Sequence, residues 1–177
     1  TIAIFDMDGT LIDSGEDITH SINYVRNVLY GLEPLSVKAV VDAINAPVRN
    51  LSEIFYGRPL YEPAARSLFE EHYHEQCIQN VVAYEGIQTV LETLKNGGIK
   101  LGIATNAPSV FAYRMMKHLE LAPYFDLIVG ADNVERPKPD PQMLECHLRH
   151  HDYVRGEDTA WMIGDAVQFP AAEQPQT

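Results

Sequence analysis

Short apolar runs alternate with longer amphipathic stretches over most of this 177-residue chain. Four of the runs have the length of buried strands, at residues 2–4, 100–104, 127–130 and 161–163. Between the later runs, apolar positions recur at the three- and four-residue spacing that is typical of helices with one buried face. Strands that alternate with helices in this way predict an α/β fold with a parallel sheet.

One long segment, residues 14–82, interrupts the alternation with helical patterns only. Ser14 and Asp17 have the spacing of a capping box at the start of its first helix. The predicted helices cover residues 14–31, 36–44, 47–57, with Pro47 in the first turn of the third, and 62–79. We therefore predict a core made of residues 1–13 and 83–177 and an inserted helical domain of residues 14–82.

The helices predicted in the core each have an apolar side, which we assign to the sheet. Ser109 and the pair Asp140-Pro141 are placed to open the second and third of these helices. The predicted inward positions are Ile87, Val90, Leu91 and Leu94 in the first helix, Val110, Tyr113, Met116 and Leu119 in the second, and Met143, Leu144, His147 and Leu148 in the third.

Two carboxylates follow the first apolar run. In an extended strand the side chains at i and i+2 point to the same side, so Asp6 and Asp8 converge. Gly9 lets the backbone turn closely around an anion. Such a pair of carboxylates could bind a metal ion next to a phosphate group. Considered alone, the pair is explained equally well as an acidic turn at a strand end.

Three further signals follow, each at the end of its own apolar run: Thr105-Asn106, Lys138 in Lys-Pro-Asp-Pro, and Asp165 in Gly-Asp. With Asp-Met-Asp-Gly-Thr-Leu at residues 6–11, they resemble the four motifs of the haloacid dehalogenase superfamily of phosphatases, in order and strand-end context. The helical insert after the first motif is similar to that of the branch with phosphoglycolate phosphatase and β-phosphoglucomutase. The resemblance implies a Rossmann-like parallel-sheet core with an inserted, mobile α-helical cap.

The resemblance also implies phosphoryl transfer from a monoester through an aspartyl-phosphate. Asp6 would be the nucleophile, which splits one difficult displacement into two easier ones. Asp8 would protonate the leaving oxygen and then activate water for the second step. Lys138 would stabilise charge between the nucleophile and the transferred phosphoryl group.

A Mg²⁺ site and a phosphate site are implied by the same resemblance. Asp6 and Asp165 would supply carboxylates to the ion, and Asp8 its main-chain carbonyl. Mg²⁺ prefers a few such oxygens together with phosphate and water. Thr105 would offer its hydroxyl, and Asn106 its backbone N–H, to phosphate oxygens.

Substrate choice would depend on the cap. Arg49, next to the loop 45–47, is the candidate for a contact with the non-reacting end of the substrate. An arginine can bind a carboxylate or a second phosphate through two hydrogen bonds. The alternative is an exposed arginine without such a role.

Asp8 favours a phosphatase over the dehalogenases and phosphonate hydrolases of the superfamily, which lack an aspartate at that position. The expected protein is an enzyme, a Mg²⁺-dependent phosphomonoesterase acting on a small phosphorylated metabolite, with phosphoglycolate as the first substrate to test. A sugar phosphomutase keeps both aspartates and stays an alternative. A second alternative is a catalytically silent member that binds a phosphorylated ligand or a protein.

Composition limits the possible partners and the cellular location of the protein. The 13 Lys and Arg against 25 Asp and Glu give a formal net charge of −12, which disfavours nucleic acid as a partner. Cys77 and Cys146 make neither a disulfide framework nor a metal cluster, and no apolar run is long enough to cross a bilayer. We therefore expect a cytoplasmic protein without a membrane partner, either a monomer or a homodimer.

The tail departs from the superfamily pattern. The branch carries a further aspartate four residues after Asp165, where this chain has Phe169 followed by Pro170. Either an acid near the metal has been lost, or a segment is missing between Asp165 and Phe169 or beyond Thr177. We expect a missing segment, because a chain that opens at Thr1 without Met already looks trimmed.

Overall fold

The computed structural model of the chain describes residues 1–46 and 50–165. Its strands are β1 (Ile2–Phe5), β2 (Ile12–Asp13), β3 (Val82–Ala83), β4 (Lys100–Ala104), β5 (Leu127–Val129) and β6 (Ala160–Ile163). Its α-helices are α1 (Gly15–Tyr30), α2 (Val37–Asn45), α3 (Leu51–Tyr56), α4 (Pro63–Gln76), α5 (Ile87–Asn96), α6 (Ser109–His118) and α7 (Gln142–His150). Within the described ranges, none of these helices has the length and apolar character needed to cross a membrane.

The larger sheet is parallel, with strand order β5-β4-β1-β6. Ile4 of β1 is level with Gly102 of β4 and with Met162 of β6. All four residues of β1 are buried, as expected for an inner strand of an α/β sheet. The four predicted strands and the α/β fold class are confirmed. The two-residue strands β2 and β3 pair as a second sheet and are too short for a periodic pattern to indicate them.

Helix α7 is attached to β4 through a buried histidine. His147 is fully buried, and its Nε2 donates a hydrogen bond to the carbonyl of Ile103 at 2.9 Å. A Cβ on Gly102 would collide with the His147 ring, so a glycine in the strand makes room for the side chain. Burial lowers the pKa of His147 to about 4, and the ring is therefore neutral at pH 7.

The chain forms two compact units, Thr1–Ile12 with Ala83–Thr177, and Asp13–Val82. In the second unit, α1 packs along α4. Its core consists of the buried residues Ile22, Val25, Val40, Phe55, Tyr56 and Ala65. This unit is therefore a helical body with a hydrophobic core of its own.

Helix α1 follows Ser14 as predicted, but the predicted capping box is wrong. Ser14 makes no side-chain capping hydrogen bond to the helix, and Asp17 is fully buried. The Asp17 carboxylate accepts hydrogen bonds from Gln76 Nε2 (2.9 Å), Asn80 Nδ2 (2.7 Å), and the backbone N–H groups of Asn80 (3.0 Å) and Val81 (2.9 Å). Four donors at and beyond the end of α4 thus occupy the oxygens that a local cap would have used.

The predicted inward faces of α5 and α6 are partly wrong. Val110 and Tyr113 are 54% and 56% exposed. The buried residues of α6 are Phe111, Ala112, Met115 and Met116. In α5, Leu91 is buried as predicted whereas Val90 is 47% exposed. Apolar residues lie around most of α6, so its spacing fits two faces equally well, and contact with the sheet decides between them.

The ends of two helices in the helical unit also differ from the prediction. Helix α3 begins at Leu51, where Asn50 Oδ1 accepts a hydrogen bond from the backbone N–H of Glu53 at 3.3 Å. The predicted start at Pro47 lies outside the described residues. Helix α4 ends at Gln76 rather than Gln79, where the donors to the buried carboxylate begin.

Candidate active site

The site begins at the carboxyl ends of three neighbouring parallel strands. Asp6 follows β1, Thr105 follows β4, and Asp165 comes two residues after β6. The backbone N–H of Asp6 donates to the carbonyl of Ile163 at 2.7 Å, which extends the ladder to the point where the carboxylate leaves the strand. In open α/β sheets this edge is where ligands bind.

Asp6 and Lys138 form a buried ion pair. Lys138 Nζ lies 2.7 Å from Asp6 Oδ1, and the two side chains are only 2% and 7% exposed. The same oxygen accepts a hydrogen bond from the backbone N–H of Met7 at 2.7 Å. Over residues 1–46 and 50–165, Asp6 Oδ2 accepts no hydrogen bond. One carboxylate oxygen is therefore held by two donors while the other is left for a reactant.

The charges around Lys138 oppose the effect of its burial. Burial lowers the pKa of Lys138 below its ordinary value, and the negative charges of Asp6, Asp8 and Asp165 act in the opposite direction. A lysine is rarely buried unless it is paired. These three carboxylates therefore compensate a cation that the local fold keeps away from water.

Asp165 lies directly against the turn of the first motif. Gly9 has φ +79°, and a Cβ there would come within 2.5 Å of Asp165 Oδ2. The backbone N–H of Asp165 donates to Thr10 Oγ1 at 3.1 Å. The turn therefore needs glycine for both its conformation and its closeness to the carboxylate.

Oxygen donors dominate this corner of the site, and they fit Mg²⁺. Asp6 and Asp165 could contribute carboxylates, and the resemblance implies that Asp8 would contribute its main-chain carbonyl. No group of three His, Cys, Asp or Glu side chains in the described part of the chain could enclose a metal ion. Mg²⁺ does not require such a cage, because it keeps water and phosphate oxygens among its ligands.

Thr105 and Asn106 hold the next loop in place. Thr105 is 1% exposed, and its Oγ1 accepts a hydrogen bond from the backbone N–H of Ala107 at 3.1 Å. Asn106 Nδ2 donates to the carbonyl of Lys138 at 3.0 Å. The loop that ends β4 is thus tied to the loop that carries the lysine.

A carboxylate on the neighbouring loop supports the start of α6. Asp132 accepts hydrogen bonds from Ser109 N at 2.6 Å and from Ser109 Oγ at 2.7 Å. Burial raises the pKa of Asp132, but the hydrogen bonds from Ser109 and from the backbone of Asp132 itself together outweigh burial and leave that pKa below its ordinary value. A Cβ on Gly130 would lie 2.7 Å from the carbonyl of Ala107, so the two loops are in close contact.

Comparison with known proteins gives the family. Residues 3–169 match the family model described as haloacid dehalogenase-like hydrolase. The chain belongs to the haloacid dehalogenase-like hydrolases. This confirms the resemblance on which the motifs were interpreted.

Individual relatives of this hydrolase are named as phosphatases. It is 35% identical to a phosphoglycolate phosphatase from Aquifex aeolicus over 93% of this chain and 75% of that protein. It is 33% identical to an N-acetylmuramic acid 6-phosphate phosphatase from Pseudomonas aeruginosa over 80% of this chain. It spans only 63% of the length of that second relative. Both names support the prediction of a phosphatase.

A solved structure supports the fold. The hydrolase is similar, with a TM-score of 0.76 and 25% identity, to a haloacid dehalogenase-like family hydrolase from Streptococcus pneumoniae. The likeness covers 94% of this chain and 76% of that one.

The structure of this hydrolase places six of the seven predicted site residues at one end of the sheet. Asp6, Lys138 and Asn106 are linked by the contacts given above, and Asp8, Thr105 and Asp165 lie in the segments that follow β1, β4 and β6. The seventh, Arg49, lies outside the described residues, as does Phe169. Sequence reasoning did not single out Thr10 or Asp132. Thr10 stands in the first motif itself, whereas no local pattern indicates the role of Asp132.

Proposed function

We propose that this protein is a Mg²⁺-dependent phosphomonoesterase that forms an aspartyl-phosphate on Asp6. The observation that carries the proposal is the buried pair of Asp6 and Lys138 at the strand ends. The pair leaves Oδ2 of the carboxylate available beside a fixed positive charge. An anionic nucleophile next to a cation is what a negatively charged phosphate ester requires for attack.

In the first step, Asp6 Oδ2 forms a bond to phosphorus while the ester P–O bond breaks. The leaving oxygen takes a proton from the Asp8 carboxyl group, which has to be protonated in the substrate complex. In the second step, Asp8 removes a proton from water, the water oxygen bonds to phosphorus, and the acyl-phosphate bond breaks. Orthophosphate leaves, and both aspartates return to their starting states.

The groups around the phosphoryl position would bind its oxygens. Thr105, whose Oγ1 already accepts from Ala107, keeps its hydroxyl proton for donation to phosphate. Asn106 would offer its backbone N–H, and Lys138 would neutralise the charge that spreads over the equatorial oxygens. When bound by Asp6, Asp165 and the Asp8 carbonyl, Mg²⁺ would supply further positive charge to carboxylate and phosphate.

The substrate class we propose is a small phosphate monoester that also carries a carboxylate, with 2-phosphoglycolate as the first candidate. The named substrates of the two relatives, phosphoglycolate and N-acetylmuramic acid 6-phosphate, share that chemistry. Residues 14–82 are proposed as the cap domain and Arg49 as the residue that binds the carboxylate.

Phosphate release tests the proposed activity. We expect release from p-nitrophenyl phosphate, 2-phosphoglycolate and N-acetylmuramic acid 6-phosphate that disappears when the protein is treated with a chelator and returns with Mg²⁺. Asp165→Asn should raise the Mg²⁺ concentration needed for half-maximal rate by about tenfold or more, because a carboxylate ligand is lost. No release from any of the three esters at saturating Mg²⁺ would contradict the proposal.

The proposed role of Arg49 can be tested in the same assay, with an ester that has no carboxylate as the control. Arg49→Met should raise KM for 2-phosphoglycolate by about tenfold, the size expected for a lost charge-assisted contact. KM for p-nitrophenyl phosphate should stay within about twofold, because that ester has no carboxylate. An equal rise for both esters would place the effect elsewhere.

A further inference from the structure

We propose that the Asn106 side chain is a positioning residue for Lys138, and this inference rests on the proposed phosphatase function. The resemblance implies a role only for the backbone N–H of Asn106. In the structure its side-chain amide donates to the main-chain carbonyl of Lys138 at 3.0 Å. The amide therefore binds the same residue whose ammonium group binds Asp6.

Lys138 needs such an anchor because burial disfavours its charge. The side chain is 2% exposed, and burying a charge is costly unless the charge is paired and hydrogen-bonded. A lysine stem is long and flexible, so a shift of its backbone would let the ammonium group turn toward water. With Asn106 at the backbone and Asp6 at the ammonium group, Lys138 is fixed at both ends.

Two further hydrogen bonds link Arg136, which precedes Lys138, to residues that follow it. Arg136 Nε donates to Asp140 Oδ2 at 2.7 Å, and the backbone N–H of Arg136 donates to Gln142 Oε1 at 2.8 Å. The Arg136 side chain is 69% exposed, and such surface pairs contribute little stability. These contacts shape the loop itself, whereas the bond from Asn106 connects the loop to the end of β4.

Steady-state kinetics give the first test. Asn106→Ala should lower kcat by about tenfold and change KM by less than about twofold, since a misplaced catalytic group acts mainly on the transition state. Asn23→Ala is the matched control. It removes an asparagine that makes two hydrogen bonds to Leu35, at 2.9 and 2.8 Å, in the helical unit. We expect kcat of this control within about twofold of wild type.

A double-mutant cycle separates positioning from direct phosphate binding. If Asn106 acts through Lys138, then Asn106→Ala should lower the residual kcat of Lys138→Ala by less than about twofold. The same tenfold loss in both backgrounds would show an independent role and would overturn the proposal.

Acetylation of lysines by acetic anhydride, quantified by mass spectrometry, tests the anchor without activity. In the Asn106→Ala variant, Lys138 should be acetylated about five times faster than in wild type, which is the factor expected for one lost hydrogen bond. The exposed Lys38 serves as internal reference, with equal rates in both proteins. Equal rates at Lys138 would overturn the proposal. Faster labelling in a protein that releases no phosphate would uphold the anchor and reject the phosphatase function.

Discussion

Each of the two units buries charge, but the surroundings of those charges differ. In the helical unit, Asp17 accepts four hydrogen bonds, two at each oxygen. Arg26, 8% exposed, donates to the backbone carbonyls of Glu33 and Phe55. In the core unit, Asp6 is paired through one oxygen only, as far as residues 1–46 and 50–165 show, and its partner Lys138 is a cation with further carboxylates nearby.

The difference separates structural from functional buried charge. A buried ion whose hydrogen-bonding capacity is filled by neutral groups holds chain segments together. A buried ion pair with an unfilled acceptor contributes little to stability, because the cost of desolvation offsets the attraction. We infer that the saturated Asp17 carboxylate stabilises the helical unit and that the unsaturated pair serves chemistry.

The largest expected effect is on turnover. Lys138→Met should lower phosphate release by about 10³-fold, as expected when a charge that stabilises the transition state is removed. Lys95→Met is the control. Lys95 Nζ lies 2.8 Å from Asp126 Oδ1, nearly the same distance as in the pair of Lys138 and Asp6, but the Lys95 side chain is 37% exposed. Its rate should stay within about twofold of wild type. A Lys138→Met protein with more than a tenth of wild-type activity would remove the contrast between the two kinds of buried charge.

Next in size is the loss of a saturated carboxylate. Asp17→Asn should lower the free energy of unfolding by about 3 kcal/mol, because an amide cannot accept all four hydrogen bonds. Urea unfolding measures this effect. Asp42→Asn, which removes an exposed pair with Lys38, should cost less than about 0.5 kcal/mol. Equal costs for the two variants would show that saturation does not matter.

A pH series extends the comparison to His147, a buried group kept neutral. Its pKa is about 4 in the native protein and close to the ordinary 6.5 in the unfolded chain. Between these values the unfolded chain binds a proton that the native protein does not, so stability falls as the pH decreases. At pH 5 the loss relative to pH 7.5 should be about 2 kcal/mol.

His147→Gln isolates this contribution, because glutamine does not titrate. Its free energy of unfolding should fall less steeply between pH 7.5 and pH 5 than that of wild type. Parallel curves for the two proteins would show that His147 titrates normally.

The smallest expected effect comes from an exposed, uncharged cap. Ser36 Oγ accepts a hydrogen bond from the backbone N–H of Ala39 at 3.2 Å at the start of α2. Ser36→Ala should lower the free energy of unfolding by about 1 kcal/mol. If Ser36→Ala lowered the free energy of unfolding as much as Asp17→Asn does, burial would not explain the contribution of the Asp17 carboxylate to stability.

The strands, and the position of the candidate site residues at the strand ends, could be predicted from the sequence to a large extent, for a physical reason. Parallel strands end at one edge of the sheet, so motifs that follow the strands must meet there, as Asp6, Thr105 and Asp165 do. The first motif also placed Gly9 correctly, because its positive φ and its contact with Asp165 require glycine.

Contacts between distant segments could not be predicted in this way. Asp17 has the spacing of a capping box, yet its partners lie some sixty residues further on at Asn80 and Val81. The buried face of α6 depends on which side meets the sheet, and apolar residues on several sides gave no preference. The bond from Asn106 to Lys138 likewise joins two loops with no sequence pattern in common.

The most direct measurement compares Asp6→Asn with Asp17→Asn in one preparation, by Mg²⁺-dependent phosphate release and by urea unfolding. Asp6→Asn should lose at least about 10³-fold in release, because the nucleophile is gone. It should also lose stability, because the buried Lys138 charge loses its direct partner. Asp17→Asn should lose stability and, where folded, keep its rate. Undiminished release by Asp6→Asn would contradict the assignment of Asp6 as the nucleophile and, with it, the proposed mechanism.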